Sequence, residues 1–346
     1  FEDEEFEGKC VYVWFEAVQG YLTCAQIWSE RIGTSHPDGT DSWRNWWCVD
    51  EEGNSPRHLY FLGKDNIPFH TVIWPALIMG LNMAMNGLDK PRLPEARDLH
   101  LEDNVPAMEY LMLAGGQFSK SRKHAIWLPS FLEKFDPDTL RYVLTINMPE
   151  AHDTDFNWSD FVEKVNTELI AAYGNFVHRI MTLAARLPSE NGISPLEPFD
   201  NVSLNSEHKV KLEELHASIT DSLERHRYKE ALRTTMSAAQ YGNQMIQAAA
   251  PWAHLSTDGD AQERNASLST LAFGWRIVRF LSIVTQPFIP FSAQKLWSMI
   301  GQSGNVTEAK WDSAIDWSVE MTWTGEEARP LFQRLDLEEI LAREGI

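Results

Sequence analysis

"HLYFLGKDNIPFHTVIWPALIMGL", His58 to Leu81, is the stretch from which the fold is read. Its first part, "HLYFLGKD", is an aliphatic and aromatic run closed by a Gly-Lys-Asp turn, which predicts a buried strand. Its second part, "IPFHTVIWPALIMGL", predicts a helix with Pro68 near the first turn, where a missing N–H costs nothing. His70 and Trp74 stand four apart and so share a helix face. An imidazole beside an indole makes a small pocket, apolar with one polar handle; a core tryptophan and a satisfied core histidine are the more ordinary reading of the same pair. Upstream, "CVYVWFE" over 10–16 predicts another buried strand, "QGYLTCAQIWSERIG" a helix ending at Gly33, and "WRNWW" a short helix. Strand, helix, loop, strand, helix is the rhythm of a parallel βαβ sheet. Ligands on such sheets bind at the carboxyl ends of the strands, where Trp14–Tyr21 and Gly63–His70 both fall. Asp65 there suits ribose hydroxyls, and Trp14, Ala17 and Tyr21 suit a flexible apolar ligand containing sulfur.

From Ser159 the pattern changes. Apolar residues at 162, 165, 169, 172, 176, 180, 183 and 187 predict an amphipathic helix with Ser159 as its N-cap. Further helices are expected at roughly 205–225, 228–250, 265–285 and 292–300, punctuated by Pro251, Pro287, Pro290 and Gly301. "RLPSENGISPLEPFDNVS" reads as a turn-rich connector, and the whole second half as a helix bundle. Asn175 and Arg179 lie four apart on its polar stripe and present groups suited to base edges. Trp252, after Pro251, is placed to stack on a splayed RNA base. A solvated helix face and a capping tryptophan explain the same three residues.

Between these halves lies "AGGQFSKSRKHAI", Ala114 to Ile126. Lys120, Arg122, Lys123 and His124 crowd onto a glycine-hinged loop in a chain whose formal net charge is −20. An acidic protein repels polyanions in general, so a local cationic loop is where a nucleotide triphosphate would be met. Lys120, with the hydroxyls of Ser119 and Ser121 beside it, is suited to the charge that develops on a pentavalent α-phosphate. Taken alone, a Ser-Lys-Ser is also compatible with a solvated basic turn.

Composition narrows the class. A chain of 346 residues implies about two domains. The surplus of acid groups fits either a high-salt cytoplasm or an ordinary acidic cytosolic protein. Most of the fourteen tryptophans are expected in the core or in pocket walls. Cys10, Cys24 and Cys48 form no C-x-x-C pair, which argues against a zinc knuckle or a disulfide framework and fits a reducing, cytoplasmic setting. The most apolar run, "LAFGWRIVRFLSIV", is broken by Arg276 and Arg279 and reads as a core helix; no signal peptide or membrane span is expected. The opening "FEDEEFEG", which begins on Phe1, reads as part of something longer.

Together these residues resemble methionyl-tRNA synthetases, a family of class I aminoacyl-tRNA synthetases. "QFSKS" at 117–121 is similar to the K-M-S-K-S signature of class I, and "FLGKDNIPFHTVIWPA" to the methionine-specific F-x-G-K-D-x-x-x-F-H-x-x-x-W-P. "VWFEAVQGY" matches Y-V-W-x-D/E-A-x-x-G-Y, "DTDFNW" and "NFVHR" match the start and first helix of the anticodon-binding bundle, and "APW" at 250–252 matches the site of its tryptophan. "RPLFQRLD" ends the series, which therefore runs nearly the length of the chain.

The resemblance implies an α/β plus all-α fold. Residues 1–108 would be the C-terminal half of a Rossmann-like class I catalytic domain, 109–158 a small stem-contact region with the K-M-S-K-S-type loop, and 159–346 an α-helical bundle anticodon-binding domain. Trp14, Ala17, Tyr21, Asn66, Phe69, His70 and Trp74 would line a methionine pocket, Gly63 and Asp65 would hold adenosine, and Lys120, flanked by Ser119 and Ser121, would stabilise the ATP phosphates. Asn175, Arg179 and Trp252 would read the CAU anticodon. Methionine, ATP with Mg²⁺ and methionine tRNA, elongator and initiator, are the partners implied, with no zinc site in this portion and no membrane. Two departures stand out. Gln117 replaces the first signature lysine, so that contact is weakened or supplied by Arg122 or Lys123. No H-x-G-H occurs, so the chain is expected to lack the N-terminal half and to be inactive without it. The alternative is a separate tRNA-binding subunit needing a catalytic partner. A synthetase for isoleucine, leucine, valine or cysteine is disfavoured by "GKDNIPFH".

Overall fold

The computed structural model describes residues 7–10, 12–33, 39–187, 206–255, 260–319 and 328–344. The chain divides into two units: Phe1–Tyr110 with Glu150–His152, and Leu111–Pro149 with Asp153–Ile346.

The first unit carries helices α1 (Val13–Ala17), α2 (Gly20–Ile32) and α3 (Arg44–Trp47), strand β1 (Leu62–Gly63), helix α4 (Trp74–Asn86) and strand β2 (Ala107–Met108). β1 and β2 pair in parallel, with Leu62 opposite Ala107 and Gly63 opposite Met108, so the strand–helix–strand unit runs through α4 to a strand the sequence reading did not expect, and not from residues 10–16. The core beneath is small: Val18, Trp47, Cys48, Trp74, Ile78 and Leu99.

Two strand expectations need correction. Residues 10–16 form no strand among the described residues; Val13–Ala17 is helical, and Tyr12, Val13 and Phe15 are exposed. An unpaired strand leaves a full row of N–H and C=O groups unsatisfied. A local turn satisfies some of them at once, as in Phe15 N–H to Tyr12 O (3.0 Å). "HLYFLGKD" pairs only at Leu62–Gly63, with an isolated parallel bridge from Leu59 to Asn104, and is half-buried rather than buried, with Phe61 exposed. The helix after it begins as a 3-10 turn at Lys64–Asn66 and a π turn at Phe69–Ile73, and becomes α only at Trp74.

The second unit opens on a three-stranded sheet, β4 (Gly116–Gln117), β3 (Leu111–Leu113) and β5 (Thr154–Phe156) in that spatial order, β3 antiparallel to β4 and parallel to β5. Ala114 and Gly115 both have positive φ (47° and 76°), as a two-residue hairpin of the right twist requires. Helices α5 (Leu128–Leu132) and α6 (Pro137–Ile146) lie between β4 and β5 in the chain.

The long helix follows as α7 (Trp158–Lys164), a π segment (Val165–Gly174) and α8 (Asn175–Ala184). Ser159 is not its cap. Asn157 is, accepting a hydrogen bond from the Asp160 N–H at 2.9 Å, because its extended backbone lets the side chain turn back on the first turn. Helices α9 (Ser206–Glu224), α10 (Tyr228–Ala249), α11 (Ala261–Val284), α12 (Pro290–Met299) and α13 (Leu337–Glu344) complete the bundle. Most of the expected connector, from residue 188 onward, lies outside the described residues.

The bundle's apolar stripe packs as its spacing implies, with Val165, Leu169, Phe176 and Ile180 fully buried. α8 meets α10 and α11 at two glycines. A Cβ at Gly242 would stand 2.4 Å from the Phe176 ring, and one at Gly274 2.3 Å from Ile180. α11 is long and apolar enough to cross a membrane, but 78% of its apolar window is buried in this protein, as expected of a core helix; Lys64–Asn86 passes the same test of length and composition with 22% buried. The tryptophans are less uniformly interior than expected. Trp74, Trp158, Trp275 and Trp297 are buried, while Trp28, Trp46, Trp127 and Trp252 are exposed.

Candidate functional site

In the first unit the π turn before α4 puts His70 and Trp74 on the inner face, each only 3% exposed. His70 Nδ1 lies 2.9 Å from the Asn66 carbonyl and its Nε2 lies 2.9 Å from the Tyr21 hydroxyl. A carbonyl can only accept, so Nδ1 carries the proton; with the proton there, the other nitrogen of a neutral imidazole is an acceptor for the Tyr21 O–H. The ring is thereby oriented from both sides. Trp74 donates its indole N–H to the Tyr60 hydroxyl at 3.1 Å, and the Tyr60 ring lies 5.2 Å from Tyr21 and 5.5 Å from His70. Trp14 stacks on Phe69 at 5.3 Å. The structure thus joins Tyr21, Asn66, His70 and Trp74 into one wall, and separately pairs Trp14 with Phe69. Ala17 sits on the exposed side of α1.

Sequence reasoning missed Tyr60. The letters carried no signal for it: Leu59 is half-buried like His58, Tyr60 and Leu62, and only Phe61 in this run is exposed, so no inward alternation marks Tyr60. Burial pushes the Tyr60 phenol up to about 12, against the Trp74 hydrogen bond, so it stays neutral. Beside it, burial pulls the His58 imidazole below its ordinary value, more than the hydrogen bond to the Trp46 carbonyl restores. Asp65 lies just past the end of β1 as expected, exposed, and accepts the Tyr110 hydroxyl proton; Lys64 pairs with Glu109 and lies over the Tyr110 ring at 4.3 Å. Gly63 is held in the ladder opposite Met108.

In the second unit the cationic loop is a closed hairpin. Ser119 and His124 exchange both backbone hydrogen bonds at 2.9 Å, and the Lys123 N–H reaches the Lys120 carbonyl at 3.1 Å. The Ser119 hydroxyl accepts the Arg122 N–H at 3.3 Å and lies 3.3 Å from the Ser121 hydroxyl, so both serines brace the turn. Lys120 is left exposed at its corner. His124, counted from the sequence among the loop's basic side chains, instead anchors the loop base by donating from Nε2 to the Leu113 carbonyl at 2.7 Å.

On the bundle, Arg179 on α8 lies with its guanidinium carbon 5.5 Å from the centre of the Trp252 ring. Its two terminal nitrogens reach Asn243 (3.4 Å) and Gln247 (3.2 Å) on α10. Trp252, 40% exposed, is presented by the turn Pro251–Ala253. The four-residue spacing of Asn175 and Arg179 holds on α8, where the exposed Asn175 borders a cavity of about 420 Å³ lined also by Gly174, His178, Pro330 and Phe332. Among the described residues no three His, Cys, Asp or Glu side chains converge as a metal site.

Residues 2–181 match the family model described as tRNA synthetases class I (M), and residues 200–338 match the anticodon binding domain of methionyl tRNA ligase. The chain is 36% identical over 306 residues to the methionine–tRNA ligase of Roseiflexus sp. (strain RS-1), covering 88% of this chain and 47% of that protein. It is 35% identical over 346 residues to the methionine–tRNA ligase of Thermococcus kodakarensis, covering 98% of this chain and 42% of that protein. The chain therefore spans about half the length of the curated relatives it matches. In fold it follows the solved Mycobacterium tuberculosis methionyl-tRNA synthetase in complex with methionyl-adenylate, with TM-score 0.69 over 93% of this chain and 56% of that one, at 23% identity. The half-Rossmann crossover and the helical bundle are thus parts of one known architecture, and the chain belongs to the class I tRNA synthetases (M).

Proposed function

We propose that this chain works in methionine–tRNA ligation: methionine and ATP form methionyl-adenylate and pyrophosphate, and the methionyl group passes to the 3′ end of methionine tRNA. The observation that carries the reading is the Tyr21–His70–Tyr60–Trp74 wall, in which the His70 ring is oriented from both sides and Trp74 donates to Tyr60. A linear thioether side chain fits against Trp14, Ala17, Phe69 and Trp74, which are apolar and, in the tryptophans, polarisable. The Tyr21 hydroxyl, oriented by His70, would supply the polar contact, and Asn66 fixes the imidazole. Apolar contacts alone separate substrates that differ by one methylene by roughly 1–3 kcal/mol, so the oriented His70–Tyr21 pair is needed for selectivity.

Gly63 and Asp65 would hold the adenosine. In the transition state the attacked α-phosphate gains negative charge, and the Lys120 ammonium on its braced turn is suited to meet it. Magnesium would come with the nucleotide; no acidic cluster among the described residues fits a resident ion. On the bundle, Asn175 and Arg179 would read base edges of the CAU anticodon while Trp252 stacks on a base. The Arg179–Trp252 stack is preformed within the second unit, which also supports a second reading, a tRNA-binding partner of a separate catalytic chain. Filter binding of methionine tRNA against the same tRNA with an altered anticodon tests the bundle. Loss of preference in Trp252→Ala supports it, and equal binding of both tRNAs by the native chain refutes it.

A further inference from the structure

Within the second unit lies a cavity of about 660 Å³ that no step of the proposed reaction uses. Its floor is aromatic. Phe131 and Trp158 stack nearly parallel with ring centres 6.1 Å apart, and Phe156 meets Trp158 edge-on at 5.5 Å. These three rings are at most 8% exposed, so the core fixes the floor. Leu337 and Leu341, four apart on one face of α13, form a facing wall. α13 is itself held at both ends. Before its first turn, Asn166 donates to the Leu335 carbonyl at 2.9 Å and accepts the Leu335 N–H at 3.0 Å. In its last turn the Arg343 guanidinium carbon lies 4.9 Å from the centre of the Phe135 ring. The cavity is therefore preformed, and its volume is that of a small-molecule site.

The rim has a different chemistry. The exposed Lys123 and Lys134 line it, and no Asp or Glu is among the described residues around the cavity. In a chain of net charge −20, cations gathered over an apolar floor select for sign. A neutral apolar molecule gains nothing from the ammonium groups, and a bare inorganic anion gains nothing from three buried rings. Lys120 and Arg122, at the tip of the basic hairpin, do not line the cavity. We infer that it is a binding site for an aromatic monocarboxylate, with the ring laid on Phe131 and Trp158 and the carboxylate turned to Lys134. Stacking on fixed rings orients the body of such a ligand, and a charge-assisted hydrogen bond fixes its end. The site is independent of the methionine, ATP and tRNA contacts proposed above.

Calorimetric titration of the chain with naphthalene-2-carboxylate, beside naphthalene-2-carboxamide of the same shape, tests the site, with a thermal melt of each variant. The native chain should bind the carboxylate saturably and about tenfold or more tighter than the carboxamide, the worth of a charged hydrogen bond. Excess methionine or pyrophosphate should leave that binding unchanged, which separates the cavity from the pocket of the first unit and from the hairpin tip. In Lys134→Ala the two probes should bind alike. In Leu341→Trp, where the indole fills the cavity, neither should bind. Trp127→Ala is the second variant if that chain fails to fold: Trp127 lines the cavity with its ring half-exposed, so its loss spares the core and should weaken both probes. Equal affinity of the native chain for both probes overturns the inference. So does displacement by methionine or pyrophosphate, native binding in both Leu341→Trp and Trp127→Ala, or no saturable binding at all.

Discussion

Tyr60 makes three contacts at once: it accepts the Trp74 indole N–H, packs edge-on to Tyr21 and flanks His70. Removing its hydroxyl leaves a buried N–H unpaired, which costs about 1–3 kcal/mol. Tyr60→Phe is therefore expected to lower stability by that order in urea denaturation and to weaken methionine binding without altering tRNA binding. Neighbouring His58 sets a pH dependence. Its pKa is lowered from 6.5, chiefly by burial, with His100 adding to the effect and Asp103 opposing it. A histidine held low stabilises the fold above its unfolded value and loses that contribution as pH falls through the lowered one. The first unit should thus lose stability on acidification below about pH 6.5, with a His58 ring titration by NMR centred below that value. His58→Gln should flatten this part of the profile. None of this could be read from His58 and Tyr60 as letters, because Leu59 and Phe61 are as apolar as the residues they separate and leave no alternation to read.

At the scale of elements, the cap of the long helix separates two readings of one segment. Ser159 and Asn157 are both capping types, and only backbone geometry chooses between them. Asn157→Ala should cost about 1 kcal/mol in thermal or urea unfolding, whereas Ser159→Ala should be close to neutral. The crossing of α8 with α10 depends on Gly242, where a Cβ would meet the Phe176 ring at 2.4 Å. Gly242→Ala should destabilise the bundle by about 1–3 kcal/mol, although alanine is the better helix former. The helices were legible because a 3.6-residue apolar period needs no partner to be seen. The first strand was misread because a run such as "CVYVWFE" becomes a strand only when another strand pairs with it, and among the described residues none does.

Taken whole, the chain joins two units with unequal cores. Among the described residues, six buried apolar side chains cluster in the first, and a larger cluster from Phe131 to Ile340 holds the second. Unfolding followed by tryptophan fluorescence is expected to show the first unit melting earlier, and methionine should delay only that step. The candidate site was legible where spacing alone carried it: His70 with Trp74, Asn175 with Arg179, and the basic loop. It was illegible where a residue acts through another, as Tyr60 does through Trp74 and His124 through the loop base. Calorimetric titration of the chain with methionine, beside leucine, tests whether the first unit holds the proposed methionine pocket. One saturable site for methionine, weaker or absent binding of leucine, and loss of the methionine signal in His70→Ala are expected. Equal affinity for both amino acids, or no binding of either by a folded chain, would contradict it.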